Sequence, residues 1–206
     1  MKSTLKPTSE EIDRALIDLA AVVFARHGFT QGPVQAIADA AGYSKAAVLK
    51  RFGSKERIQD AVVARAEEHA ERVAAAAEGL PVGPERDAAL LGALIELIEE
   101  WPGTGALIVG AFWLTREPEI MQRLSRAQHT LMEAFDPDVW TDEERHVRVV
   151  SAIGAVTVTM MANRDVRWTE LTDVVIAAGL GALGHTARSR RVANSAARPP
   201  EDRPRR

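Results

Sequence analysis

Apolar residues recur at three- and four-residue intervals along most of the chain, and glycines and prolines cut the pattern into about nine segments. Alternating β-branched runs joined by hairpin dipeptides do not occur, so the expected fold class is all-α. The first helix is expected from Thr8 and Ser9, where Thr8 and Glu11 have capping-box spacing, to Gly28. The second starts at Gly32-Pro33 and stops at Gly42; the third runs from Ser44 to Phe52 and the fourth from Ser54 to about Glu78. The cluster Leu80-Pro81-Val82-Gly83-Pro84 is a candidate hinge. Later helices are expected over about Pro84–Trp101, Thr104–Thr115, Glu117 to before Pro137, Thr141 to about Asn163 (with a Thr141/Glu144 capping box), and about Thr169–Ala187.

The first three helices carry one apolar face each: Leu16, Leu19, Ala20, Val23 and Phe24; Val34, Ile37, Ala38 and Ala41; Val48, Leu49 and Phe52. These faces can close a small core. Gly42 supplies the tight turn, where a left-handed backbone is cheap, and Ser44 is placed to cap the third helix. That is the pattern of a helix-turn-helix, at about residues 33–52, with its last helix suited to a DNA major groove. Between Ala40 and Lys55 lie Lys45, Lys50, Arg51 and Lys55 and no acidic residue. Ala46 and Ala47 allow close approach to base edges and can touch thymine methyls, Lys45 suits guanine, and Gln35 suits adenine or a phosphate. Lys50, Arg51 and Lys55 suit phosphates, Lys55 at the start of a helix whose dipole favours an anion. Tyr43 either reaches a base or phosphate or packs against the turn.

Charge and composition narrow the picture. Residues 1–60 hold nine Lys+Arg against seven Asp+Glu, residues 61–187 ten against twenty, and the tail from Arg188 seven against two. A mildly basic end on an acidic body presents one face to phosphates. With no cysteine there is no disulfide, thiolate nucleophile or Cys-ligated metal. The start of the chain is polar, and the longest apolar run, Val149–Ala162, is too short for a bilayer and reads as a buried core helix. A soluble cytoplasmic protein is expected. Glu143 and His146 form one Glu-x-x-His; a di-iron bundle needs a second, which the sequence lacks, so neither enzyme activity, metal nor cofactor is expected.

The residues FARHGF, IADAAGYSKAAVLKRF and GSKERI, within Ala15 to Ala61, resemble the TetR family of bacterial regulators. The chain departs from that family's usual pattern at Gly32-Pro33, where two Ser/Thr are common, and at Leu49-Lys50-Arg51, where aromatic residues are common. The resemblance implies an N-terminal three-helix DNA-binding domain (1–55), a C-terminal helical effector and dimerisation domain (56–187), and here a basic tail (188–206) read as disordered. It implies a homodimer on a palindromic operator, with a recognition helix per half-site, most simply a repressor released by a small apolar or aromatic effector and with no membrane partner. The eighth and ninth helices would pair with their mates, with Gly154, Ala155, Ala178, Gly181 and Ala182 at the contact. The effector pocket would lie between the fourth and eighth helices, walled by Trp101, Phe112, Trp113, Met121, Leu124, Met132, Phe135 and Met160. His129 and His69 are candidate polar anchors, and the fourth helix is the expected lever between the two domains.

Overall fold

The computed structural model describes residues 7–114, 118–163 and 168–185, with the side chains of 111–114 and 169 outside that description. The Arg-rich tail lies outside the described residues. Among the described residues the chain is helical throughout: α1 (Ser9–His27), α2 (Val34–Ala41), α3 (Lys45–Phe52), α4 (Lys55–Ala75), α5 (Pro84–Glu100), α6 (Pro102–Leu114), α7 (Pro118–Phe135), α8 (Glu143–Ala162) and α9 (Thr172–Ala182), with a 3-10 turn at Trp168–Glu170 before α9.

Local signals set most boundaries. Thr8 and Glu11 form the expected capping box, and Gly28 ends α1 with φ 77°. Several boundaries differ from expectation. Pro102-Gly103 opens α6 instead of preceding it, because proline is tolerated in a first turn. Asp142, not Thr141, caps α8: its carboxylate accepts from the Arg145 N–H at 3.0 Å, while the Thr141 hydroxyl donates to the Asp138 carbonyl at 3.0 Å. The Pro/Gly cluster after α4 joins two helices that share one core, since Val73 and Ala77 pack in the same cluster as Leu90 and Leu91.

Two apolar cores result. The N-terminal core is built on Phe24 and Phe29, stacked with centroids 4.7 Å apart, with Ile37 and Val48. It does not end at residue 55: Ile58, Val62 and Val63 of α4, Leu107 of α6 and Ile120 of α7 complete it. The C-terminal core joins α4, α5, α7, α8 and α9 around Leu90, Leu94, Phe135, Val149 and Val156. Helix α6 bridges the two. It lies against α1 so closely that a Cβ at Gly110 would come within 3.0 Å of the Ala25 Cβ.

One buried ion pair ties the C-terminal core together. Asp87 of α5 is 0% exposed. The Arg145 guanidinium donates to both its oxygens, at 2.9 and 3.0 Å, and to the Phe135 carbonyl at 3.2 Å. The Arg145 Nε sits 3.3 Å from Asp136 as an ion pair without hydrogen-bond alignment. His185, just past α9, places its Nε2 2.7 Å from the other side of the Asp87 carboxylate.

Candidate nucleic-acid interface

The turn between α2 and α3 follows from two residues. Gly42 sits in the left-handed region, at φ 71° and ψ 25°, and its N–H closes back on Ala38 and Asp39. The Ser44 hydroxyl then accepts from the Ala47 N–H at 3.1 Å and starts α3. Val48 is the α3 residue buried in the core, which turns the opposite side of this short helix outward. Gln35, Tyr43, Ser44, Lys45, Ala46, Ala47, Lys50 and Arg51 are all exposed there, and Lys55 is half-buried at its edge.

Their side chains are not equally available. Lys45 and Lys50 are exposed and have no ion pair among the described residues. Arg51 is committed to α1: its guanidinium pairs with Asp13 and donates to the Ser9 carbonyl and, at 2.7 Å, to the Ser9 hydroxyl. The Asp13 carboxylate stabilises the charged guanidinium and raises its pKa. Lys55 donates to the Thr30 carbonyl at 2.7 Å, which leaves it further N–H donors. Gln35 donates along its own helix to Asp39 at 2.6 Å. Pro33 caps α2 without a side-chain hydrogen bond, and Gly32 is there for space, since a Cβ would come within 2.7 Å of Phe24.

Residues 16–62 match the family described as bacterial regulatory proteins, tetR family. Residues 16–62 thus carry the N-terminal DNA-binding domain of the TetR family. That domain is the DNA reader of a bacterial transcriptional regulator. Its fold is similar to that of a TetR-like transcriptional regulator from Rhodococcus sp. RHA1 (19% identity, TM-score 0.51, 88% of this chain and all 100% of that one). It is also similar to the fatty acid degradation regulator FadR from Bacillus halodurans (17% identity, TM-score 0.54, the same coverage of 88% and 100%). No curated protein sequence matches the chain.

A second feature lies behind the reader. A cavity of about 350 Å³ opens among α4, α5, α6, α7 and α8. It is lined by Ala66, His69, Ala70, Val73, Leu94, Leu97, Thr104, Leu107, Ile108, Met121, Leu124, Ala127, Gln128, Leu131, Met132, Val150 and Ile153. Of the walls expected from sequence, Met121, Leu124 and Met132 are there. Trp101, Phe135 and Met160 are core residues that do not reach it, and the side chains of Phe112 and Trp113 lie outside the described residues. His129 is on the surface, its ring tilted against Trp140 and its Nδ1 2.7 Å from the Ser125 carbonyl. A large apolar residue on a helical stripe meets core or cavity alike, and the periodicity is the same in both cases.

His69 is the polar group of the cavity with the most perturbed chemistry. It is 3% exposed, its Nδ1 lies 2.6 Å from the Thr104 hydroxyl oxygen, and its ring tilts against Trp101 at 5.2 Å. Burial, with the nearby charges of Arg65 and Arg72, lowers its pKa from 6.5 to about 4. The unfolded chain therefore takes up a proton below about 6.5 that the folded chain refuses until about 4. Stability should fall as pH drops through that window and level out below it. The Arg72-bound Glu100 carboxylate, also held low, adds its own loss only beneath its ordinary 4.5. Urea titrations between about pH 6.5 and 5 should show this slope, and His69→Gln should flatten it; an unchanged slope in the variant would remove His69 as its source.

No helix among the described residues is long and apolar enough to cross a membrane.

Proposed function

We propose that this regulator binds a palindromic operator as a homodimer and acts as a repressor, in the cytoplasm, that a small molecule in the α4–α8 cavity releases. The observation that carries the reading is the exposed α3 face of Lys45, Ala46, Ala47 and Lys50, capped by Ser44 and flanked by Tyr43. Lys45 sits nearest the helix start, where base edges are reached, and Lys50 lies towards its end, suited to a phosphate.

An exposed stripe across α8 and α9 supports the dimer. Val147, Ser151, the half-buried Gly154 and Val158 lie at intervals of four, three and four, and Leu171, Val174, Ala178 and Gly181 at three, four and three. Val147 is 62% exposed and Val174 63%, which is unusual for helices whose opposite sides carry the core. Ala155 is exposed beside the first row and Ala182 half-buried beside the second. The glycines divide by role. Gly179 admits Leu91 of the same chain, with a Cβ there only 2.7 Å from the leucine methyl, whereas nothing lies within 4 Å of a Cβ at Gly154 or Gly181. The open pair suits close approach by a second copy, giving a four-helix bundle.

The test is a salt-dependent mobility shift on DNA flanking the coding region, with the mass of the protein measured in solution. A saturable shift on a palindromic site by a dimer is expected. Lys50→Ala should make the log–log salt slope shallower by about 1.8 per dimer, at roughly 0.9 per lost phosphate contact. Lys45→Ala should cost about 1–3 kcal/mol of sequence discrimination per half-site. An unchanged slope in Lys50→Ala would sink its phosphate assignment, and a monomer that still shifts the palindrome would sink the dimer.

A further inference from the structure

The cavity's chemistry narrows what it can hold, and this inference rests on the effector reading above. Its lining includes no Asp, Glu, Lys or Arg among the described residues. The cations nearest its buried end are already engaged: Arg65 lies over Trp101 at 5.2 Å and pairs with Glu68 at 3.1 Å, and Arg72 donates to Glu100 at 2.7 Å. A carboxylate or phosphate entering would lose its water with no cation to receive it, a cost of several kcal/mol. Nor does any described Phe, Tyr or Trp ring line the space; apart from His69, Thr104 and Gln128 its walls are alanines, branched aliphatic side chains and two methionines, which mould to a flexible chain more readily than to a flat ring system.

The polar groups are few and segregated. His69 and Thr104 form a mutually bonded pair at the buried end, while Gln128 is exposed at the opening. A neutral imidazole has one donor and one acceptor nitrogen, and Thr104 occupies Nδ1. Nε2 is thus left to accept or to donate according to tautomer, and a hydroxyl suits either. At about 30 Å³ per water of liquid, the volume corresponds to roughly a dozen waters. We propose that the cavity takes an uncharged, mainly aliphatic molecule of about a dozen non-hydrogen atoms, carrying a single hydroxyl or carbonyl that His69 and Thr104 recognise.

Three probes of matched length, 1-decanol, decane and decanoate, and one aromatic probe, 2-naphthol, test this on the full chain at about pH 8, where the acid is ionised. Binding is read by calorimetry on protein alone and by release from operator DNA. Decanol should bind about tenfold or more tighter than decane or decanoate. Thr104→Val should bring decanol down to the level of decane and leave decane unchanged. Leu131→Trp, which fills the cavity without touching the polar pair, should abolish both. Decanoate binding as tightly as decanol, 2-naphthol binding more tightly, or none of the probes binding a protein that still shifts operator DNA would each overturn the proposal. Because binding to protein alone needs no operator, a failed mobility shift with intact decanol binding would count against the regulatory reading and in favour of this one.

Discussion

Arg145→Met should destabilise the protein by about 3–5 kcal/mol, the usual cost of stranding one partner of a buried ion pair. Asp87 is fully buried, and Arg145 supplies both of its close guanidinium bonds; His185 alone would remain. The loss should spread to α8 and the end of α9, because the pair holds α5 to both, and these helices carry the proposed dimer face. Urea unfolding gives the free energy, and the dimer fraction at fixed concentration gives the second readout. The double variant Asp87→Leu with Arg145→Met should recover part of the stability, since it leaves no buried Asp87 charge, although Asp136, the Phe135 carbonyl and His185 lose their partner. If the single variant were as stable as the parent, the pair would not be the buried unit its geometry describes.

Gly103→Val should break the seam between the cavity and the DNA reader. The Gly103 N–H donates to the Asp18 carboxylate of α1 at 2.8 Å. A Cβ at this position would fall on the Asp18 carbonyl oxygen and 2.5 Å from its Oδ1. Seven residues on, Gly110 meets Ala25 closely as well, though with more room: a Cβ there would lie 3.0 Å from the Ala25 Cβ. Between them α6 presents Thr104, Leu107 and Ile108 to the cavity. Under the proposed effector reading, a molecule there would press on a helix seated directly on α1, so α6 would join α4 as a route by which the cavity biases the reader. Valine should cost about 1–3 kcal/mol by overpacking and weaken operator binding in the absence of any ligand. Gly92→Ala is the contrasting control: its nearest neighbour would be 3.8 Å away, and alanine in a helix should gain about 0.5–1 kcal/mol. Equal stability of the Gly103→Val protein and the parent, with unaltered operator affinity, would dispose of the seam.

The DNA reader was legible because its signals are short-range. Thr8 with Glu11, Gly42 with Ala38, and Ser44 with Ala47 each act within a turn or so of helix, and the periodic apolar faces require only that helices form. Near neighbours also misled where two candidates stood together, as Thr141 and Asp142 did at the start of α8. The run Val149–Ala162 read as a core helix, yet only one side of it is buried; the other carries Val158 and the open Gly154. Composition cannot separate a helix buried on all sides from one whose second side is left for a partner.

By itself, then, the sequence determined the all-α class, the helix-turn-helix and its outward cations, through interactions that close within a few residues. Only the tertiary structure decided which of these groups are spent internally. It gave Arg51 to Asp13, Arg145 to Asp87 and the Gly103 N–H to Asp18, partners 38, 58 and 85 residues apart. It also decided that Met121 and Met132 face a cavity while Phe135 and Met160 fill the core. Such choices depend on how separate helices pack and on the spaces left between them, and the period of an apolar stripe does not record which helix will lie opposite it.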